Sequence, residues 1–451
     1  MRCQVEPGAA SAGDPYPERS RSSGYIVTAE KDTDWCENGY RFAVVGHAGT
    51  VAVPAFHSEV YIIYIMRNNR LPVMAARRRL KRPILTILGI IVLLIGALAS
   101  WSWLETVKPL RAQQHPSTHR ADFQYTNITP PPTATRPSLS VLWDFLLNKP
   151  TDTRPPNAVP VSRLTTRALH DAPDGSLYRL GHSTVLIKLD GKFWLTDPMF
   201  SNRASPVQWA GPLRFHAPPI SVADLPPIEA VILSHDHYDH LDVESIRRLA
   251  NKTRYFVTPL GVGDRLIDWG VPRTKVRQLD WWQSVRIAGL ELISTPAQHF
   301  SGRGLWDRNQ TLWSSWVLRQ QPANTPHERP ISLYFSGDTG YFTGFKEIGE
   351  RFGPFDLALM ENGAYNPQWH YVHMFPAETL QAFIDVNARV LVPVHNGTFD
   401  LSMHAWDDPL RQIAELATRR AISIRTPVFG ERVDIRAPAA THAWWTEVRT
   451  K

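Results

Sequence analysis

One stretch constrains this chain more than any other. The apolar run Ala230-Val231-Ile232-Leu233 leads straight into Ser234-His235-Asp236-His237-Tyr238-Asp239-His240-Leu241-Asp242. A short apolar run of this kind reads as a buried strand. It ends in three histidines and Asp239 within six positions. Protonated side chains crowded this closely would repel one another, and packing gives no reason to gather them. A divalent cation removes the conflict, because imidazole nitrogen and carboxylate oxygen are its ordinary ligands. The pattern therefore predicts a metal site where a strand gives way to a loop.

The rest of the composition narrows the chemistry. The chain has 451 residues, 43% hydrophobic with 16 Trp, enough to bury a large core. Its cysteines, Cys3 and Cys36, lie near the N-terminus, so the remainder has neither a disulfide framework nor thiolate ligands. The formal net charge of +7 is modest, and much of the excess sits between Arg67 and Arg82, so charge implies no nucleic-acid partner.

Arg77, Arg78, Arg79, Lys81 and Arg82 precede an uncharged run from Pro83 to Leu104 that ends near Trp101 and Trp103. A basic flank and about 20 apolar residues match a bilayer-spanning signal anchor, residues 74–104. Residues 1–73 then read as an extension upstream of a natural start at Met74. The positive-inside rule places the downstream chain on the exported, periplasmic side, membrane-anchored. Ala97-Leu98-Ala99 resembles a cleavage site, so a cleaved secreted form is the second expectation. Residues 105–160 read as a Pro-rich linker with one short helix at Ser138 to Leu147.

From residue 161 to about 440 strands alternate with helices, and 441–451 reads as a tail. Leu177 to Leu189 and Phe193 to Thr196 are expected strands joined at Asp190-Gly191. Strands are also expected at 230–233, 255–259, 284–287, 290–295, 311–318, 331–336, 356–360, 390–394 and near 422–427. Helices are expected at 243–250, 263–269, 341–351, 377–385 and 409–419. Strand after strand ends in a polar or glycine-rich edge. Asp197 closes Leu195-Thr196-Asp197-Pro198, His299 closes Pro296-Ala297-Gln298-His299, Asp338 sits in Ser336-Gly337-Asp338-Thr339-Gly340, and His395 follows Val394. Ligands gathered from several strand ends on one edge of α/β layers make a metal active site. Asp197 reads either as a carboxylate orienting a ligating histidine or as an aspartate turn before proline.

These residues resemble the metallo-β-lactamase superfamily. Further segments narrow the likeness: Gly181-His182-Ser183-Thr184, Arg203-Ala204-Ser205-Pro206, Leu279-Asp280-Trp281-Trp282, Arg351-Phe352-Gly353-Pro354-Phe355-Asp356 and Gly363-Ala364-Tyr365 look like N-acylphosphatidylethanolamine-hydrolysing phospholipase D and its bacterial relatives. The resemblance spans roughly residues 137–431. It implies an αββα sandwich and two zinc ions, iron or manganese being open alternatives. His235, His237 and His299 would hold one ion, and Asp239, His240 and His395 the other. Asp338 would bridge them, and with Asp239 would serve catalysis through a bridging hydroxide. No protein nucleophile is then required, in keeping with the lack of a Gly-x-Ser-x-Gly elbow. Alone, His373 reads as a surface histidine; the resemblance puts it beside the substrate phosphate, to steady it or protonate the leaving group. Tyr238, Gln208 and Trp209 are expected to line the pocket on the same ground. Glu361, Asn362 and Asn366 differ from the residues usual in the family this chain resembles, and an expected transmembrane anchor stands in place of the N-terminal hydrophobic elements that form its lipid cavity, so the resemblance implies the metal chemistry and not the acyl-chain specificity.

The expected function is a membrane-tethered phosphodiesterase of the phospholipase D type, acting on a phospholipid. A homodimer is allowed. An exported nuclease of the same fold is the alternative, although 338–395 leaves little room for an inserted domain. An iron-dependent oxidoreductase and a non-catalytic tethered binding protein complete the alternatives.

Overall fold

The structure is a computed structural model that describes residues 85–98, 100, 115–130, 147–304, 306–321 and 329–450. The chain divides into two units, Met1–Ile91 and Val92–Lys451. Of the first unit only residues 85–91 are described, and they are helical, as are residues 92–98 at the start of the second. Their apolar side chains, Leu85, Ile87, Leu88 and Ile90 in the first and Val92, Leu93 and Leu94 in the second, are exposed. Among the described residues no helix is long and apolar enough to cross a membrane. The expected span of 83–104 is thus not reproduced: its described helical part is shorter than the roughly 20 residues a bilayer core requires, and residues 83, 84, 99 and 101–104 lie outside the described residues. The extension 1–73 and most of the helix expected at 138–147 also lie outside them.

The second unit holds two sheets. The first contains β3 (Ser176–Gly181), β4 (Thr184–Leu189), β5 (Lys192–Thr196), β6 (Ile228–Ile232), β7 (Thr253–Pro259), β8 (Val276–Leu279) and β15 (Arg432–Asp434), in the order β15-β3-β4-β5-β6-β7-β8. The second contains β9 (Ser284–Ile287), β10 (Leu290–Thr295), β11 (Ser315–Gln320), β12 (Ser332–Phe335), β13 (Leu357–Glu361) and β14 (Leu391–Val394), in the order β14-β13-β12-β11-β10-β9. A two-stranded ribbon, β1 (Arg120–Ala121) and β2 (Gln124–Tyr125), precedes them. Pairing is parallel from β5 to β8 and from β12 to β14, and antiparallel elsewhere.

Alternation along each strand sorts side chains into three cores. Leu177, Ile187, Trp194 and Ile232 of the first sheet meet Leu292, Trp316, Phe335, Leu359 and Val392 of the second in the middle layer. Their sequence neighbours point outward. Tyr178, Leu186, Leu195 and Val231 pack under helices α1 (Thr166–Asp171), α2 (Val243–Leu249) and α3 (Val262–Asp268). Ile293, Val317, Tyr334 and Ala358 pack under α4 (Gly344–Phe352), α5 (Pro376–Asp385) and α6 (Asp408–Arg419). With both faces covered, the strands read as continuous apolar runs. The four layers are α, β, β, α, as the resemblance implied.

Some boundaries differ from expectation. The run Leu177 to Leu189 is two strands, because Gly181 (φ 152°) and His182 (φ 40°) turn the chain at His182-Ser183. The strand expected at 311–318 begins only at Ser315, because Leu312 and Ser314 donate instead to Leu260 and Ser234 across the sheets. No strand forms near 422–427 beyond a single bridge between Ile424 and Leu391. Helix α7 (Trp444–Thr450) occupies the stretch read as a tail and buries Trp444, Trp445 and Val448.

Candidate metal centre

The carboxyl ends of β5, β6, β10, β12, β13 and β14 and the β3–β4 turn lie at one edge of the sandwich, and each brings a polar side chain there. The His235–His240 loop is tied down on both sides. Ser314 N–H donates to Ser234 O at 2.9 Å and the Trp316 indole donates to Leu233 O at 2.9 Å, linking the second sheet to the loop of the first. Asp242 caps α2, accepting from Ser245 N–H at 3.2 Å, so the motif is a strand, a loop and a helix start. Gly337 (φ 56°) lets the Asp338 loop close over Ser234; a Cβ there would lie 2.7 Å from Ser234 Cβ.

Side chains of the motif split in role. Asp236 turns away and is locked in a buried network: it accepts from Arg265 Nε at 2.9 Å, Gly302 N–H at 2.8 Å and Thr311 Oγ at 2.9 Å, while Arg265 also binds Asp307 at 2.7 Å. His235 and His237 face the other way. His235 Nε2 lies 2.9 Å from His237 Nδ1, and His299 Nε2 lies 3.2 Å from the same atom. Across from them, Asp239 Oδ2 lies 3.4 Å from His240 Nε2, 3.3 Å from His395 Nε2 and 3.0 Å from His182 Nε2. Asp338 stands between the groups: its Oδ2 is 3.1 Å from His240 Nε2, 2.9 Å from His395 Nε2, 3.8 Å from His235 Nε2 and 3.9 Å from His299 Nε2. All seven residues expected as ligands converge.

The donors fit a cation. Asp197, completely buried, accepts from Ser234 N–H at 2.7 Å, Ser234 Oγ at 2.6 Å and His240 Nδ1 at 2.7 Å. With its proton on Nδ1, His240 turns the lone pair of Nε2 inward, and that buried atom has no hydrogen-bond partner. Asp338 Oδ1 is likewise buried without one. Spacings near 3 Å between ring nitrogens suit neighbouring ligands of one ion with metal–nitrogen bonds of about 2.0–2.1 Å. The set contains only nitrogen and oxygen, and five overlapping groups of at least three His, Asp or Glu donors can be drawn from it and its neighbours. Asp197 (φ 32°), His182 (φ 40°) and His395 (φ 63°) hold left-handed backbone, a conformation rare outside glycine that gathers at working sites.

Charge differs across the cluster. Burial, then the rings of His240, His237 and His299, push His235 well below the usual histidine range. Burial does the same to His299 and lowers His237. Burial also opposes charge on His240 and His395, but Asp338 and Asp239 outweigh it, holding His240 well above its ordinary value and His395 at about 10. Against the same burial, His240 and His395 hold Asp338 well below the carboxylate range.

Asp197 faces His240 from behind, bonded to its Nδ1, as well as turning the chain before Pro198. His373 stands at the rim: its ring centroid is 5.2 Å from both His299 and His395, and its Nδ1 lies 2.5 Å from Glu361 Oε1. Tyr238 donates to Arg303 O at 2.8 Å and, with Gln208, lines a cavity of about 670 Å³ that runs beside the motif loop past Phe200, Trp269 and Arg303. Trp209 is not among its lining residues and is 78% exposed. A cleft of about 20 Å³ reaches the cluster itself from the side of His182 and His395. The larger cavity borders the motif through Tyr238 and Asp242 and is lined by none of the seven converging side chains, so the chemical centre is the cluster.

Three contributors were not read from the sequence as site residues. His182 interrupts an apolar run, which could have marked it. Glu361 ends β13 as an isolated buried acid. Asn127, in the stretch read as a linker, donates to His299 O at 2.7 Å and accepts from His299 N–H at 3.1 Å.

Comparison with known proteins agrees with this geometry. Residues 194–396 match the model of the beta-lactamase superfamily domain. An uncharacterised protein of Mycobacterium tuberculosis is 40% identical over 342 residues, 74% of this chain and 89% of that protein. The N-acyl-phosphatidylethanolamine-hydrolyzing phospholipase D 1 of Caenorhabditis elegans is 34% identical over 306 residues, 63% of this chain and 83% of that enzyme. The outer membrane protein RomA of Klebsiella pneumoniae is 53% identical over 102 residues, 23% of this chain and 70% of that protein. The chain belongs to the metallo-β-lactamase superfamily and is a metallo-hydrolase of that fold.

Proposed function

We propose that this metallo-hydrolase is a dinuclear zinc phosphodiesterase of the phospholipase D type, acting on N-acylphosphatidylethanolamine or a related phospholipid. The observation that carries the reading is Asp338, whose one carboxylate oxygen faces histidines from both halves of the cluster. His235, His237 and His299 would hold one ion, Asp239, His240 and His395 the second, and Asp338 both. When bound, two such ions would lower the pKa of bound water from about 15.7 towards 7 and would neutralise charge on the phosphodiester oxygens. The chain's own contribution is position: Asp197 fixes the His240 tautomer, and the Asp236–Arg265 pair holds the loop.

The similarity to the C. elegans phospholipase supports a phosphodiester substrate. The cavity beside the loop joins Phe200 and Trp269 to Tyr238, Gln208 and Arg303, apolar and polar surface together, which suits an amphiphile. The apolar run 83–104 supports a membrane tether with the enzyme on the exported side, and the name of the K. pneumoniae relative points towards a membrane as well.

The test is lipid profiling. Zinc-loaded protein incubated with vesicles of N-acylphosphatidylethanolamine is expected to release phosphatidic acid, with chelator abolishing it. Failure to cleave any phosphodiester after zinc reconstitution contradicts the reading. Cleavage of ordinary phosphatidylethanolamine at an equal rate removes the N-acyl part alone.

A further inference from the structure

Glu361 is a buried acid beside the metal cluster. It sits at the end of β13, fully shielded from solvent. Its two oxygens do different things. Oε2 accepts from Thr339 N–H at 3.0 Å, next to Asp338. Oε1 lies 2.5 Å from His373 Nδ1. A separation this short means a hydrogen is shared between them, since a carboxylate oxygen and a bare ring nitrogen at that distance would repel. Nδ1 is therefore committed to Glu361, and Nε2 is the ring's other proton site. A nitrogen of His373 also comes within 4.8 Å of the donor atoms of His299 and Asp338, so the ring borders the reaction space.

A buried acid bonded to the far nitrogen of a histidine fixes the ring's tautomer and rotation. Resting on the phosphodiesterase reading above, we infer that Glu361 is a positioning residue, which holds His373 so that Nε2 delivers a proton to the leaving oxygen. The step balances. Water's oxygen bonds to phosphorus, and the bond from phosphorus to the head-group oxygen breaks with its electron pair. That oxygen takes the proton from Nε2, and the proton water sheds on attack restores the ring. The alcohol of a lipid head group is a poor leaving group and needs this proton. A nitrophenolate does not.

The alternative is that Glu361 merely holds the Asp338 loop through Thr339. Two readouts separate the roles. The first is the proton spectrum of ¹⁵N-histidine-labelled protein: a strongly deshielded proton attached to His373 Nδ1 is expected in the parent and absent in Glu361→Leu. The second compares bis(p-nitrophenyl) phosphate with the lipid phosphodiester. General acid catalysis is worth about 10²–10⁴-fold. Glu361→Leu is expected to lower kcat on the lipid by about a hundredfold, with KM and metal content unchanged, and on the nitrophenyl ester less than about fivefold. Glu361→Gln keeps a hydrogen-bond acceptor for Nδ1 and should recover part of the loss. Adding His373→Gln to Glu361→Leu should cost little more, because the two act as one unit. Equal losses on both substrates, additive losses in the double variant, or an unchanged proton spectrum overturns the inference. If the parent protein cleaves neither substrate, the phosphodiesterase reading has failed instead.

Discussion

His235, His237 and His299 form one half of the cluster from three imidazoles, all of which burial pushes below the usual histidine range. Asp239, His240 and His395 form the other half, with a carboxylate inside it, Asp197 behind His240 and His182 behind Asp239. Without metal, that second half gathers protons on His240 and His395. Asp338 leans towards it, at 2.9 and 3.1 Å against 3.8 and 3.9 Å on the first side. The difference teaches that one fold edge supplies two unlike sites. Burial disfavours charge on the first; on the two-ion reading proposed above, protons held by the second would leave as its ion entered.

The sharpest way to break this comparison is Asp338→Asn, which weakens both sites together. Activity is expected to fall by at least about a thousandfold, since ligation and charge stabilisation go at once, and metal analysis should find fewer than two ions. Near-normal activity would remove Asp338 from its place. His235→Ala and His395→Ala come next. Each should leave one ion bound, on opposite sides, with loss of activity in both. If either variant loses both ions, the sites are not separable.

Asp197→Asn tests the buttress. The amide no longer accepts as a charged group from His240 Nδ1, and affinity at the second site should drop by about 10–100-fold, with the first unchanged in a metal titration. Acid separates the halves more gently. His395 is raised to about 10 and His240 well above 6.5, so filling the second site displaces protons, and its affinity should rise with pH across the neutral range. The rings of the first site are lowered, so its affinity should stay level until more acidic pH. Titrations at pH 6 and 8 that show equal pH dependence for both ions would erase the asymmetry. Trp209→Ala lies outside either half. Stability should change by less than about 0.5 kcal/mol, as for other exposed positions, and a vesicle-binding assay checks whether this exposed ring touches lipid at all.

Much of this was legible in the chain because the ligands are strand-end residues. Strands buried on both faces are apolar without interruption, so each one stops visibly where a His or Asp begins, as at Leu233-Ser234-His235 and Val394-His395. The seven converging side chains follow from that grammar plus the family likeness. The pairing of sites comes from the likeness alone and not from the strand-end grammar: His235 and His240 come from one loop yet face different halves, with the loop held by Asp236 and Arg265, 29 positions apart. His182 hid inside an apolar run whose turn depends on two positive φ angles. Glu361 and Asn127 act through partners 12 and 172 positions away, which local pattern cannot announce. The stretch read as linker supports His299, because a proline-rich composition describes stiffness and not what the chain packs against.

The measurement that tests the central claim most directly is anomalous diffraction at the zinc edge from crystals of the zinc-loaded protein. Two peaks about 3.5–4 Å apart, flanking Asp338 with His235, His237 and His299 around one and Asp239, His240 and His395 around the other, are expected. A single peak, or two that do not share Asp338, would contradict it.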